Sequence, residues 1–271
     1  MYDIEDGKII LNHGSINEGL VAIASGKGGV GKSTVTVNLA TALQKRGKKV
    51  GIVDADIYGF SVPGILGLED KPRARSEEEI YPPDKNGIKV MSMASFVEDK
   101  GDAVIWRAPL LQGALQQFIE DVYWGELDYL LFDLPPGTGD MPLNIMQQFS
   151  DASLLLVTTP QITATSVAGR VGQLADKLDL DILGLVSNMA YYKCSDCGHK
   201  DYIFGKDGSK ELANQLGIEL LGEIPLISEI RKASDEGNPI LFNDNDFEND
   251  LANSYLNIAD GVIKNIKDFK V

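Results

Sequence analysis

A glycine-rich segment with two lysines is the part of the sequence best suited to chemistry. Residues 26–33 read GKGGVGKS and fit the pattern G-x-x-x-x-G-K-S/T in full. Glycines let the backbone N–H groups of such a loop wrap a phosphate, and a following helix directs its positive N-terminus at the same anion. Lys32 would reach the β- and γ-phosphates of a nucleotide, and the Ser33 hydroxyl would bind Mg²⁺. The predicted phosphate-binding residues are Gly26, Lys27, Gly28, Gly29, Val30, Gly31, Lys32, Ser33 and Thr34.

Three aspartates that follow apolar runs could serve the same chemistry. Asp54 and Asp56 end the run KVGIVDAD, and Asp133 ends DYLLFD. Ligands bind at the carboxyl ends of the strands in open α/β sheets, so these side chains are expected near the loop. Phosphoryl transfer needs a metal that offsets charge and a group that orients the attacking water. An Asp here can also cap a turn or a helix. Because three such aspartates follow a phosphate loop, a role in nucleotide hydrolysis is favoured over capping.

The two cysteines of the chain, Cys194 and Cys197, are spaced C-x-x-C and can bind one metal ion or one edge of a cluster. A thioredoxin-like redox pair would lie at a helix N-terminus early in a βαβ unit, whereas this pair follows a late strand. A zinc knuckle needs four ligands, and the segment adds at most His199. Haem attachment is excluded because Gly198 separates Cys197 from His199.

A cysteine site shared between two copies of the chain is the remaining possibility. Two subunits related by a two-fold axis would supply four cysteines, which is the ligand set of a [4Fe–4S] cluster or of a bridged Zn²⁺ ion. The number of ligands does not choose between iron–sulfur and zinc.

The elements that must position these residues alternate between β-rich runs and helical patterns, which is typical of a parallel sheet covered by helices. Strands are predicted at Leu20 to Ser25 and at the runs KVGIVDAD, IKVMSMA, DYLLFDLPPG, LLLVTTP, ILGLVSNM and IELLGEIP. Helices are predicted at Ser33 to Arg46 (with Gly47 as the cap), after Pro109, at Val167 to Leu178, Lys210 to Leu216 and Ile227 to Ala233, and at the C-terminus. The segment between Leu68 and Gly87 is read as an exposed loop or hairpin insertion.

The predicted fold is a single doubly wound α/β domain, with a mostly parallel sheet and helices on both faces, at residues 19–271 after a short lead at 1–18. The C-terminal helix carries Leu251, Tyr255, Ile258, Val262, Ile266 and Phe269 at spacings of three and four. A membrane-targeting helix would carry basic residues on its polar face. Here the segment that leads into the helix is acidic (Asp244, Asp246, Glu248, Asp250), and the end of the helix has only Lys264, Lys267 and Lys270. The helix is therefore expected to pack on the core.

Composition excludes several classes of function. The chain has 271 residues, with 25 Lys+Arg against 40 Asp+Glu and a net charge of −15, which argues against nucleic acid as a partner. No apolar run approaches the ~18 residues of a membrane span, and the N-terminus lacks the features of a secretory signal. Two cysteines cannot form a disulfide scaffold, so we expect a cytoplasmic protein that does not bind membranes.

Lys27 gives the phosphate loop the form K-G-G-x-G-K-S, which resembles the deviant Walker A motif of a P-loop NTPase family. That family includes the MinD/ParA partitioning ATPases, the nitrogenase iron protein and the Mrp-like iron–sulfur carriers. Its early lysine crosses a dimer interface to touch the nucleotide of the other subunit, and the resemblance implies this role for Lys27. It also implies that Asp56 is the switch I aspartate, which positions water or contacts Mg²⁺, and that Asp54 supports it.

The same resemblance assigns the remaining nucleotide contacts. FDLPPGTGD resembles the Walker B and switch II element, in which Asp133 would hold Mg²⁺ through water and Gly137 would sense the γ-phosphate. Asn188 and Pro225, which end two predicted strands, match the positions that flank adenine in the family.

Several further segments resemble the Mrp-like iron–sulfur cluster carrier ATPases. They are DADIYGFSVP, DLPPGTGD, the C-x-x-C-G segment from NM to IFG, and GEIPL followed by ASDEGNPI, between about Val21 and Ile240. The resemblance implies that Cys194 and Cys197 bridge a homodimer, bind a [4Fe–4S] cluster and transfer it to apo iron–sulfur proteins, with ATP and Mg²⁺ as cofactors. Two departures are Phe60, where proline is usual, and the short N-terminal lead, which lacks the small domain of many bacterial members.

Two other functions are weighed against a cluster carrier. One is a MinD/ParA-like positional ATPase with structural zinc at the C-x-x-C pair, and partitioning ATPases lack that pair as a family feature. The other is an electron donor resembling the nitrogenase iron protein, whose cluster ligands are far apart in sequence, unlike Cys194 and Cys197.

Overall fold

The computed structural model describes residues 2–5, 7–57, 59–76, 79–96, 108–194, 196–242 and 250–269. The strands in this part of the chain are β1 (Asp3–Glu5), β2 (Lys8–Leu11), β3 (Gly14–Ala24), β4 (Val50–Asp54), β5 (Arg73–Ser76), β6 (Glu79–Tyr81), β7 (Asp84–Lys85), β8 (Ile88–Ser92), β9 (Gly125–Asp133), β10 (Ala152–Thr158), β11 (Ile182–Ser187), β12 (Tyr192–Lys193), β13 (Lys200–Asp201) and β14 (Leu220–Glu223). The α-helices are α1 (Lys32–Lys45), α2 (Val62–Leu66), α3 (Ala108–Glu120), α4 (Asp140–Gln148), α5 (Ile162–Lys177), α6 (Gly208–Leu216), α7 (Ser228–Asp235) and α8 (Asp250–Phe269).

A parallel sheet forms the centre of the molecule. Its strands follow the order β14-β11-β10-β3-β9-β4-β8, with β7 antiparallel at the β8 edge and β2 antiparallel on the first part of β3. Strand β4 is buried along its whole length and β10 almost so, which explains why their sequences are apolar on both faces. The predicted mostly parallel α/β fold is confirmed.

Two apolar cores lie on opposite faces of this sheet. One contains Leu115 and Phe118 of α3 together with buried side chains of α4, α5 and α6. The other contains the apolar side of α1, Leu66 of α2 and the buried side of α8. Helices therefore cover both faces, as a doubly wound sheet requires.

The first central strand is longer than the sequence predicted. It begins at Gly14, and the predicted division between a lead at 1–18 and a domain at 19–271 falls inside it. An added Cβ on Gly14 would lie 2.2 Å from the Gly125 carbonyl oxygen, so the two strands approach closely at this point. The polar residue Glu18 is accommodated because its carboxylate accepts a hydrogen bond from Lys48 Nζ at 2.5 Å. The division into a short lead and a single domain stays a prediction.

The other elements that the sequence predicted have their predicted types, whereas β1, β2, α2, α4 and the hairpin of β12 and β13 were not predicted. The insertion between Leu68 and Gly87 contains the antiparallel hairpin of β5 and β6. Gly47 follows α1 with φ 77°, as expected of a residue that ends a helix. In α8 the apolar series is buried except for Phe269, which is 46% exposed. Asp244, Asp246, Glu248 and Lys270 lie outside the described residues. Among the described helices, none combines the length and apolar character that a bilayer crossing needs.

Candidate functional site

The glycine-rich segment connects the end of β3 to the start of α1, as the sequence predicted. Gly29 and Gly31 both have φ 82°, a left-handed conformation that favours glycine. An added Cβ on Gly26 would lie 2.4 Å from the backbone nitrogen of Ala168 in α5. The loop therefore requires glycine at these positions both for its own turns and for its close contact with α5.

Lys32, the first residue of α1, is buried beside a carboxylate. Its side chain is 5% exposed, and Nζ lies 2.7 Å from Asp133 Oδ2. Beyond this ion pair, the ammonium has no other hydrogen-bond acceptor among the described residues. A buried ammonium with unused donors fits a phosphate oxygen, which is the role predicted for Lys32.

Asp133, at the end of β9, receives two hydroxyl groups from α1. Ser33 Oγ donates to Oδ2 at 2.6 Å, and Thr36 Oγ1 donates to Oδ1 at 2.7 Å. Hydroxyl and carboxylate oxygens are the hard ligands that Mg²⁺ prefers, so this group fits a magnesium site. Thr36 was not predicted from the sequence. Thr36 lies one helical turn after Ser33, on the same face of α1, and this spacing could have identified it.

A second buried carboxylate lies beside the first. The register of the sheet places Asp54 of β4 level with Asp133 of β9 and with Ser92 of β8. Ser92 Oγ donates to Asp54 Oδ2 at 3.1 Å, and the backbone N–H of Asp56 donates to Oδ1 at 3.3 Å. Ser92 was also missed, although it is a polar residue at the end of an apolar strand.

Burial and charge act together on Asp54. Its side chain is fully buried, and loss of hydration followed by repulsion from Asp133 raises its pKa to about 8. Lys32 and the hydrogen bonds from Ser92 and Asp56 act in the opposite direction but are weaker. Burial beside a second carboxylate therefore favours the protonated form of Asp54.

Three other residues were assigned to the nucleotide site by resemblance. Asp56 is 8% exposed, and its Oδ1 accepts a hydrogen bond from the backbone of Gly59 at 3.2 Å. Gly137 has φ 104°, and its N–H donates to the carbonyl of Ser25 at 2.8 Å. Lys27 is exposed and forms no ion pair with any residue that the structure describes. Tyr58, inside the predicted switch motif, lies outside the described residues.

Asn188 lies behind the phosphate loop. It is 5% exposed, and its Nδ2 donates to the carbonyl oxygen of Val30 at 2.8 Å. Its backbone N–H donates to Thr158 at the end of β10, also at 2.8 Å. Pro225 is buried just beyond β14. The adenine contacts assigned to Asn188 and Pro225 stay predictions, but the amide of Asn188 already serves to support the loop.

The two cysteines lie in the turn of the short antiparallel hairpin formed by β12 and β13. Cys194 N donates to the carbonyl of His199 and Gly198 N to the carbonyl of Cys194, both at 2.9 Å. Cys194 is half-buried and Cys197 is exposed. Backbone hydrogen bonds from Cys197 and Asp196, and one from the Cys197 side chain, hold the pKa of Cys194 below its usual value. A thiolate is the form that binds metals.

The hairpin by itself does not complete a metal site. Within the described ranges, no group of three or more His, Cys, Asp or Glu side chains is close enough to hold a metal ion. The pair therefore offers two ligands of the four that zinc or a cubane cluster needs.

A parallel sheet, a glycine-rich phosphate loop and buried Lys, Ser and Asp side chains define a P-loop nucleotide-binding protein. The family model described as "ParA: NUBPL iron-transfer P-loop NTPase" matches residues 17–263, and the chain belongs to this family. The resemblance to MinD/ParA-type ATPases predicted from the sequence is confirmed.

Relatives of known name cover most of the chain. The "Iron-sulfur cluster carrier protein" of Methanocaldococcus jannaschii is 46% identical over 242 residues, which is 89% of this chain and 83% of that protein. The protein of the same name from Bacillus subtilis is 49% identical over 206 residues, 76% of this chain. The chain covers 58% of the length of that relative. An Arabidopsis thaliana relative, "Iron-sulfur protein required for NADH dehydrogenase, mitochondrial", is 40% identical over 93% of this chain and 80% of its own length.

Solved structures show the same fold. A nucleotide-binding protein from Archaeoglobus fulgidus in complex with ADP is 43% identical, with a TM-score of 0.73 over 85% of this chain and 91% of that chain. The cell division ATPase MinD from Pyrococcus furiosus is 27% identical, with a TM-score of 0.66 over 91% of this chain and 99% of its own.

Proposed function

We propose that the protein is a Mg²⁺-dependent ATPase that carries a [4Fe–4S] cluster between two identical subunits and delivers it to apo iron–sulfur proteins. The observation that carries this proposal is the cysteine pair. Cys194 and Cys197 lie on an accessible turn as half of a ligand set, in a chain that also has the side chains of a nucleotide site. A second copy of the chain would supply the other half.

The names of the relatives support iron–sulfur rather than zinc as the cargo. Proteins 46% and 49% identical to this chain are named as iron–sulfur cluster carriers, and the Arabidopsis thaliana relative as an iron–sulfur protein. The lowered pKa of Cys194 favours a thiolate, the state that ligates iron. An accessible turn also suits a cluster that must leave, because a recipient's own thiolates can then reach it.

Residues of the phosphate loop and the strand ends would carry the ATPase reaction. Lys32 would transfer its contact from Asp133 to the nucleotide phosphates, where it stabilises negative charge. Ser33 and Asp133 would hold Mg²⁺, which offsets phosphate charge during transfer. Asp56 would orient the attacking water, and Lys27, exposed in one subunit, would reach the nucleotide of the other.

Anaerobic reconstitution with iron and sulfide tests the cargo and the ligand set together. We expect about four iron and four sulfide per dimer, because a cubane cluster takes its four thiolates from two chains. Cys194→Ala and Cys197→Ala should each lose most of the iron. His199→Ala is the matched control in the same turn and should keep it. Mass measurement of the reconstituted protein should show a dimer.

Three results would overturn the proposal. They are equal, low iron in wild type and Cys194→Ala, a full iron content in a monomer, and a site filled by zinc alone. The last would favour the positional ATPase with structural zinc. Transfer is tested separately, by mixing the loaded protein with an apo iron–sulfur enzyme and following recovery of its activity. We further propose a cytoplasmic location with no nucleic-acid or membrane partner.

A further inference from the structure

The segment that carries the cysteines is attached at both ends to elements that contact the phosphate loop. It runs from Asn188, the first residue after β11, through the cysteine hairpin to Gly208, the first residue of α6. The first end contacts the loop directly, and the second reaches it through Pro160 and α5. A change in the loop therefore has two physical routes to the cysteines.

The first attachment is the side chain of Asn188. Its Nδ2 donates to Val30 inside the loop, and an added Cβ on Gly31 would lie only 2.2 Å from the same nitrogen. Both groups are buried, so the hydrogen bond cannot be replaced by water without rearrangement. The amide of Asn188 and the backbone of the loop must move together.

The chain between Asn188 and the cysteines is short and constrained. Met189 has φ 53°, an uncommon conformation for a residue with a side chain. Ala190 N then donates to the carbonyl of Ile224 at 2.8 Å, and Tyr191 O accepts from Leu226 N at 2.7 Å. Strand β12 begins at the next residue and leads directly to Cys194. Few free torsions remain to absorb a displacement of Asn188.

The second attachment lies beyond the hairpin. An added Cβ on Gly208 would lie 2.3 Å from the carbonyl oxygen of Pro160. The start of α6 therefore packs closely against Pro160, two residues before α5. Helix α5 in turn contacts Gly26 of the phosphate loop through the backbone of Ala168. Both ends of the cysteine segment thus rest on elements that hold the loop.

We propose that Asn188 is a positioning residue that couples nucleotide binding in the loop at 26–33 to the arrangement of Cys194 and Cys197. The inference builds on the proposed function, since it concerns how the two proposed sites communicate. Coupling of this kind is reciprocal, so occupation of the cysteines by metal changes the nucleotide affinity by the same factor.

Thiol alkylation of the metal-free, full-length chain measures this coupling without iron. Iodoacetamide labelling of Cys194 and Cys197 is followed by peptide mass spectrometry, with and without saturating Mg–ADP. We expect the nucleotide to change the labelling rate of wild type about fivefold, at the lower end of usual allosteric effects, and to change that of Asn188→Ala less than about twofold. Asn265→Ala is the matched control, because its Nδ2 also donates to a backbone carbonyl, Leu183 O at 2.7 Å.

Met189→Gly provides a second variant that keeps the amide of Asn188. Glycine removes the restriction at φ 53° and loosens the connection, so the nucleotide effect should again be reduced. The proposal is overturned if wild type shows no nucleotide effect or if both Asn188→Ala and Met189→Gly keep the full effect. It is also overturned if Asn265→Ala loses the effect equally. Because labelling needs no cluster, failure here leaves the carrier proposal intact, and failure to bind iron leaves the coupling intact.

Discussion

Asp54→Asn should gain stability relative to wild type as the pH rises, because wild type loses stability that the variant keeps. The Asp54 carboxyl is fully buried, and the repulsion from Asp133 adds to the cost of ionising it. Its pKa is about 8 in the folded protein, against about 3.9 in an unfolded chain. Between these two values the folded state holds a proton that the unfolded state has lost. Stability therefore falls as the pH rises through this window and levels off above about pH 8.

The size of the effect follows from the proton difference. One proton changes the free energy of unfolding by about 1.4 kcal/mol per pH unit, which gives a loss of about 2 kcal/mol between about pH 6 and about pH 8. Asparagine has the same shape but does not ionise, so Asp54→Asn should lack this part of the pH dependence. In a thermal scan the difference corresponds to about 4–8 °C for a chain of this size.

Urea unfolding followed by circular dichroism, with EDTA present, measures both slopes at several pH values. Asp176→Asn, which removes an exposed carboxylate on α5, is the matched control and should keep the slope of wild type. Parallel slopes for wild type and Asp54→Asn would refute the reasoning. They would mean that the buried carboxyl is ionised in the folded protein throughout this range.

Three further predictions concern the nucleotide site. Thr36→Val removes the hydroxyl that donates to Asp133, and should lower the free energy of unfolding by about 1–3 kcal/mol in urea titrations. Gly26→Ala would place a methyl group against the backbone of α5, and should weaken ADP binding measured by calorimetry. Lys27→Ala should bind ADP like wild type but hydrolyse ATP about 10³-fold more slowly, if this lysine acts across the dimer as a catalytic cation does.

Each of these three has its own control. Ser254→Ala removes an exposed hydroxyl bonded to the backbone of α8, and should cost less stability than Thr36→Val. Gly113→Ala, on α3, has no atom within 4 Å of the added methyl group and should leave ADP binding close to wild type. Lys71→Ala alters an exposed lysine in the insertion and should not slow hydrolysis. Equal affinities for Gly26→Ala and wild type, or unchanged turnover in Lys27→Ala, would contradict the respective assignments.

Local sequence predicted the loop and the main acids because each depends on a short pattern. Residues 26–33 follow a buried strand and start a helix, and Asp54 and Asp133 end two runs that are apolar on both faces. Parallel strands bring their carboxyl ends to one edge, so these residues meet whichever order the strands take.

The parts that sequence did not predict depend on contacts between distant residues. Ser92 reaches Asp54 only because β8 is in register with β4, and no local pattern records that register. Asn188 and Val30 are 158 positions apart, so the hydrogen bond between them is visible only in the folded chain. The early part of β3 was missed because its polar residue Glu18 is satisfied by Lys48, a partner far along the sequence.

The hairpin that carries the cysteines is closed by its own backbone hydrogen bonds. Strands β12 and β13 form a two-stranded sheet of their own, with one further bridge from Tyr192 to Leu226, and the contacts within the turn join Cys194 to Gly198 and His199. Evolution could therefore exchange these few residues without disturbing the sheet or the phosphate loop. ATPases that share one fold could in this way gain, lose or change the group that they bind at this turn. Under the proposed coupling through Asn188, a group bound by a new turn would also respond to the nucleotide.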